Sequence, residues 1–390
     1  MKIRDAGRRY SGFLQPQHRL LLRAALLDKE AAVPAFETWH ANTDWAGDFD
    51  AGSYQLLPQL YVNLDRCGYD APIMGRLRGL YRNAWYRNQQ QLALLQDLIK
   101  RLELSDIRTM LLGDGALMYG YCISPGARNL HTLDILIPAE RASAASEIMT
   151  AEQWQSTTDS SGDLRYRQHA CFTRGDNHTC TLYWYTPPRT GLDHETSWER
   201  AKPAQLNGIN TLIPDAPEML LHQVRHGLTE QGIPTLPGLA ALAIVAGSEN
   251  MNWSAATRLA NDNYLELKLF MALTTVKAEL GTPIPDTTLS ELGEKKVSLV
   301  EKLEHRAARR RPDAKDNFLG PLERLSLGFL QYTGKAGPAA MASELPEFLR
   351  YHYGTDSLPR IFGNIAINGV RRIGRGIGRI FNRNKNQLAV

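Results

Sequence analysis

Residues 111–138 read LLGDGALMYGYCISPGARNLHTLDILIP. An apolar strand over 109–112 runs into a glycine turn, and a helix starts at once. A loop with Pro125 and Gly126 then leads to a second strand over 133–137 that carries Asp134. This order of strand, glycine turn, helix and strand predicts an α/β unit. Asp134 interrupts an otherwise apolar strand, where an unpaired charge is expensive, so it is a candidate site residue. The plainer reading is a strand-end residue that caps a turn. Arg128 and His131 flank the same loop and read most simply as solvated positions, with an anionic ligand as the alternative.

Downstream, a helical AERASAASEIMTAE and a polar loop precede strands near 164–172 and 178–185. In the last strand Cys180, Leu182 and Trp184 point one way, and Thr179, Thr181, Tyr183 and Tyr185 the other, because side chains alternate across a strand. The aromatics are expected to pack the sheet, with Tyr183 a candidate pocket residue. Upstream, from His18 to Leu104, the pattern is helical, with Leu77, Leu80, Ala84, Leu92, Leu95, Leu98 and Leu102 on one stripe. Past Pro214 the chain turns helical again through IPDAPEMLLHQVRH, GLAALAIVAG and LELKLFMALTTVKAELG. This divides the sequence into a helical region 1–105, an α/β core 106–202, a helical region 203–345 and a tail 346–390. His222 and His226 have a spacing that can ligate zinc, but Gln223 stands where a catalytic Glu would be, so helix packing is the expectation.

The chain has 390 residues, of which 43% are hydrophobic and 22% charged, enough to bury a core and too balanced for a disordered or collagen-like chain. Four scattered cysteines without a C-x-x-C pair fit reduced thiols. The N-terminus is charged where a secretion signal needs an apolar run, and the longest apolar stretch, 236–246, is too short to span a bilayer. A soluble cytoplasmic protein is expected.

The net charge of +4 is unevenly spread. After Asp356 come seven basic residues and no acid, so positions 1–356 keep 38 of the 45 basic residues against 41 acidic ones, a net of −3. On a helix at ~100° per residue, Val370, Ile373, Ile377, Ile380 and Phe381 would share one arc, and Arg371, Arg372, Arg375, Arg379 and Arg383 the opposite one. This basic amphipathic pattern suits an anionic membrane surface, RNA or a partner groove, which makes those five arginines polyanion-binding candidates and 357–390 a segment for peripheral membrane attachment. Gly369, Gly374, Gly376 and Gly378 oppose the helix, so it is expected to fold only on a surface. A solubilising tail is the bland alternative.

The 111–138 segment resembles the nucleotidyltransferase fold related to DNA polymerase β. There a glycine turn holds nucleotide phosphates, and carboxylates from Asp-x-Asp and a later strand bind two metal ions. More closely, the chain resembles a bacterial family of uncharacterised nucleotidyltransferases over roughly 18–290. The motifs in order are Leu56-Leu57-Pro58, the turn Gly113, Gly115, Ala116, the strand with Asp134, the later strand with Tyr183-Trp184, Trp198-Glu199-Arg200-Ala201, the helix ending at His226, Trp253, and Pro283-Ile284-Pro285. The resemblance implies a small mixed-sheet nucleotidyltransferase-like α/β core flanked by N-terminal and C-terminal helical regions. It assigns Gly113, Asp114, Gly115, Ala116, Arg128, Thr132 and Thr181 to a nucleotide site, Asp134 to catalysis and metal binding, and Mg²⁺ as cofactor if the protein is active.

The departures fall at the chemistry. Asp114 stands where the family has Lys, Thr132 replaces the first Asp of Asp-x-Asp, and Thr181 and Tyr183 replace the later acid and its His. A hard cation wants carboxylate oxygens, and one charge where the family has three argues against the usual metal-dependent transfer. Asp114 is expected to face the triphosphate without a neutralising partner. Asp114, Asp163 or Asp176 could restore the site by moving into it. Three functions stay open: a degenerate family member that serves as a binding or scaffold component, with a peptide, carrier or enzyme partner; an active nucleotidyl- or phosphotransferase with a rearranged site; and a module for another anionic ligand, recruited to membrane or nucleic acid by its tail.

Overall fold

The computed structural model describes residues 1–10, 14–121, 124–157, 169–175, 178–184, 194–206, 208–227, 235–308, 325–326, 329–330, 338–353, 357–361 and 363. Five helices lead: α1 (Ile3–Tyr10), α2 (Pro16–Leu26), α3 (Lys29–Ala41), α4 (Ala51–Arg66) and α5 (Ile73–Leu104). The α/β part follows with β1 (Met110–Leu111), α6 (Gly113–Gly120), β2 (Leu133–Leu136), α7 (Ala142–Ala151), β3 (Gln155–Ser156), β4 (His169–Arg174), β5 (His178–Tyr183), α8 (His194–Arg200), β6 (Lys202–Leu206) and β7 (Ile209–Ile213). Helices α9 (Ala216–His226), α10 (Leu236–Ala246), α11 (Trp253–Asp262), α12 (Glu266–Leu280), α13 (Asp286–Glu294), α14 (Leu299–Ala308) and α15 (Pro338–Tyr353) complete the described chain.

The helix starts are written locally. Asp50, Asp215, Thr235 and Asn252 each accept a backbone N–H three residues on, which satisfies one of the donors that every helix start leaves orphaned. Helix α12 stops at Gly281, whose φ of +64° is a left-handed terminator.

Among the described residues, seven strands form one mixed sheet in the order β3-β4-β5-β2-β1-β7-β6. Its centre is the parallel pair β2/β5, in which Asp134 sits opposite Thr181. Strand β1 runs antiparallel to β2 and parallel to β7. The sheet continues past the expected end of the α/β unit at 202, because β6 and β7 form an antiparallel hairpin within it. The dipeptide Asn207-Gly208 between them in sequence is a hairpin signal, and Gly208 takes φ +87°. Of the strand expected over 164–172, residues 164–168 lie outside the described residues, and the strand itself runs on to Arg174.

One face of the sheet joins a continuous core. Leu133, Ile135, Cys180 and Leu182 pack in the same cluster as Leu57 and Leu77 from the leading helices and Leu220, Val245 and Leu273 from the trailing ones. The two helical regions also meet directly: the Ile3 N–H donates to the Lys295 carbonyl at 2.9 Å, and α1 lies against α12 and α13. The opposite face carries a smaller apolar cluster of Met110, Leu112, Leu136 and Trp198, with Tyr183 at its edge. Among the described residues, no helix is long and apolar enough to cross a membrane. The tail arginines Arg371, Arg372, Arg375, Arg379 and Arg383 lie outside the described residues.

Candidate functional site

Alternation along β2 decides which way Asp134 faces. Leu133 and Ile135 enter the core, so Asp134 emerges on the other face, beside Thr181 of β5. The Thr132 hydroxyl, two residues back and on the same side, donates to Asp134 Oδ2 at 3.1 Å. Above this carboxylate lies the glycine turn. The Leu112 N–H donates to the Asp134 carbonyl at 2.9 Å, and Gly113 has φ +56°. A Cβ at 113 would stand 2.7 Å from Asp134 Oδ2, so both the conformation and the close approach require glycine there. Gly115 is buried, yet a Cβ there would meet nothing within 4 Å. Ala116 is fully buried in the main core and offers a ligand no side-chain contact.

Burial pushes the Asp134 carboxyl up to about 6, and the charge of Asp114 adds to the shift, while hydroxyls of Thr132 and Thr181 oppose it. Burial, and after it the negative charge of Asp134, likewise raises the Tyr183 hydroxyl and the Cys180 thiol. The Cys171 sulfur lies 3.8 Å from Thr181 Oγ1.

Asp114 does have a neutralising partner, contrary to the sequence expectation. Arg128 Nε forms an ion pair with its Oδ1, and the same guanidinium donates from Nη1 to the Pro237 carbonyl at 2.8 Å. Arg128 is therefore a half-buried bridge between the glycine turn and α10, and not a solvated loop residue. His131 is exposed, as expected.

The residue that holds this loop was missed in the sequence. Asn88 of α5 is buried, donates to the Pro125 carbonyl and, at 2.6 Å, to the Arg128 carbonyl, and accepts from the Leu130 N–H at 2.9 Å. It lies four residues after Ala84 and four before Leu92, on the apolar stripe of its helix. A polar side chain at a core position was the available signal. Tyr81 adds a hydroxyl contact to Ser124 at 2.8 Å.

The segment Trp198-Glu199-Arg200-Ala201 does structural work. Arg200 pairs with Asp215, the N-cap of α9, at 3.2 Å and with Glu218 one turn later, and Ser197 donates to Glu218 at 2.6 Å. The Arg108 guanidinium lies 4.4 Å from the Trp198 ring centroid. His222 and His226 lie side by side with ring centroids 4.3 Å apart and ring planes tilted by 35°. Burial, then the neighbouring His226 and Arg225, holds His222 well below its usual range.

The donor set can be compared with what a pair of Mg²⁺ ions requires. Among the described residues the site offers one carboxylate, that of Asp134, with two neutral hydroxyls, and Asp114 is engaged by Arg128. Among the described residues, no three His, Cys, Asp or Glu side chains are grouped to hold a metal ion. Asp163 and Asp176 lie outside the described residues. The donor set of the described residues does not fit two hard divalent cations, which need ionised oxygen ligands.

A family model described as an uncharacterised nucleotidyltransferase matches residues 51–281, from the start of α4 to the end of α12. No curated protein and no solved structure matches the chain. That match takes in α4 with its Leu56-Leu57-Pro58, the glycine turn, the sheet and the Arg200 clamp, so the chain belongs to the uncharacterised nucleotidyltransferase family.

Proposed function

We propose that this protein is a nucleotidyltransferase-fold member that has lost metal-dependent transfer and serves as a binding or scaffold component of a biosynthetic or peptide-modifying system. The observation that carries the reading is the environment of Asp134. Among the described residues it is the one carboxylate beside Thr132 and Thr181. Two-metal transfer needs negative charge on that side of the sheet to clamp the cations, which in turn offset the triphosphate. Here hydroxyls take the places of acids, and the acid of the turn is paired to Arg128.

Nucleotide binding followed by calorimetry, with and without Mg²⁺ or Mn²⁺, tests the proposal on wild type and Asp134→Ala. Binding that is absent or independent of metal supports it. Metal-dependent micromolar binding that Asp134→Ala abolishes would overturn it in favour of an active transferase.

A further inference from the structure

Between Ile73 and Gln96 the long helix α5 carries four arginines, Arg76, Arg78, Arg82 and Arg87, and no acidic residue. A solvated helix face usually mixes both signs, and positions 1–356 of this chain are net acidic, so a one-sign stretch stands out against its surroundings. The same stretch exposes two large aromatics: Trp85 is 43% exposed and Tyr86 60%. Arg78 and Arg82 are exposed on the same side of the helix as these rings, Arg82 one helical turn before Trp85 and Tyr86, while Arg76 and Arg87 lie on the far flank. Arg78 is already oriented, its Nε donating to the Tyr61 hydroxyl at 3.1 Å.

We propose that this arginine and aromatic face of α5 binds single-stranded nucleic acid. Arginines spaced along a helix track a phosphate backbone, and exposed aromatic rings offer stacking faces to unpaired bases, independent of sequence. A duplex has its base faces covered, and an anionic membrane surface would call for a wider apolar stripe than two rings. The face is also positioned by a rigid neighbour. The backbone of the loop at Gly126 rests on Tyr81 and Trp85, so that a Cβ there would lie 2.6 Å from the Tyr81 ring and 2.9 Å from Trp85 Cβ. Asn88 holds that loop, which carries Arg128 to the glycine turn. A strand lying on α5 would therefore run toward the turn. This surface lies outside the turn and does not depend on whether metal-dependent transfer has been lost.

The test uses the full chain and fluorescein-labelled 12-nucleotide RNA and DNA oligomers, followed by anisotropy at 150 mM salt. Wild type, Trp85→Ala/Tyr86→Ala and Arg78→Ala/Arg82→Ala are compared. Both double variants leave every charge of the 357–390 tail in place, and Trp85→Ala keeps the Cβ at the Gly126 contact. Binding to at least one oligomer type is expected, weakened about tenfold or more by the aromatic variant. The arginine variant should weaken it too and flatten its salt dependence. The RNA and DNA arms decide which backbone is preferred. A wild type that binds neither oligomer, or an affinity that the aromatic variant leaves unchanged with circular dichroism intact, would overturn the proposal. So would equal binding of a blunt duplex, or loss of binding to phosphatidylserine vesicles in the same variants in place of oligomer binding.

Discussion

The backbone of Gly113 rides so close over the side chain of Asp134 that a Cβ on the glycine would stand 2.7 Å from the carboxylate Oδ2. The two residues come from different elements, and their approach brings the turn and the central strand into one site. The contact also buries Asp134, which is the leading cause of its raised carboxyl.

Gly113→Ala should destabilise the fold by about 2 kcal/mol, from the cost of a left-handed φ for a residue with Cβ and the clash with Asp134. Gly115→Ala should be neutral or stabilising by up to about 1 kcal/mol, because its Cβ meets open space within a helix. Urea denaturation of the two variants checks the contrast, and equal losses would contradict it.

The Asp134 carboxyl is raised from its ordinary value of 3.8 to about 6 in the folded protein. The native state then binds more protons than the unfolded state between these values, so this group's contribution to stability falls as pH rises from about 4 to about 6. Asp134→Asn should therefore be more stable than wild type at pH 7, by on the order of 2 kcal/mol, and about equal to it at pH 4. His222 works the other way: held well below the usual histidine range, it costs stability as pH falls below its unfolded value of 6.5. The informative quantity is therefore the difference between variant and wild type at each pH. A constant difference across that range would rule out the raised carboxyl.

Asn88→Ala removes two donors and one acceptor from a buried loop anchor. A loss of about 3 kcal/mol is expected, since the loop's carbonyls and the Leu130 N–H would lose their partners. Faster amide exchange at Leu130 should accompany it, and protection equal to wild type would show that the loop is held by other contacts.

Arg200→Ala would leave Asp215 and Glu218 close together without their cation. We expect destabilisation of about 3 kcal/mol at neutral pH, partly recovered under mildly acidic conditions as Glu218 takes up a proton. Thermal melts at two pH values test it. A variant equally destabilised at both would point to lost packing and not to charge.

Putting acids back should recreate a metal site if their replacement is what removed it. Thr132→Asp/Thr181→Asp is expected to show a Tm that rises with millimolar Mg²⁺ or Mn²⁺, while wild type stays within about 1 °C, because only a folded-state metal site stabilises by mass action. A wild-type shift as large as the variant's would refute this account.

The glycine turn, the strand bearing Asp134 and the strand bearing Thr181 were legible in the sequence because each depends on local patterning. Period-two alternation by itself predicts that Thr181 and Tyr183 share a face, and β5 has it so. The hairpin of β6 and β7 was overlooked in spite of Asn207-Gly208, because its strands are short and only their pairing beside β1 makes them part of the sheet.

Sequence alone determined the kind of chemistry available at the turn: glycines with the conformational freedom it needs, one carboxylate, and hydroxyls where the family has acids. Tertiary structure decided the electrostatics of those groups. Arg128 reaches Asp114 because Asn88, forty residues earlier on another helix, pins the intervening loop. Asp134 is pushed toward neutrality because Gly113 and the sheet exclude water around it. Ion pairing and desolvation depend on distances between residues far apart in the chain, and no spacing in a linear sequence encodes those distances.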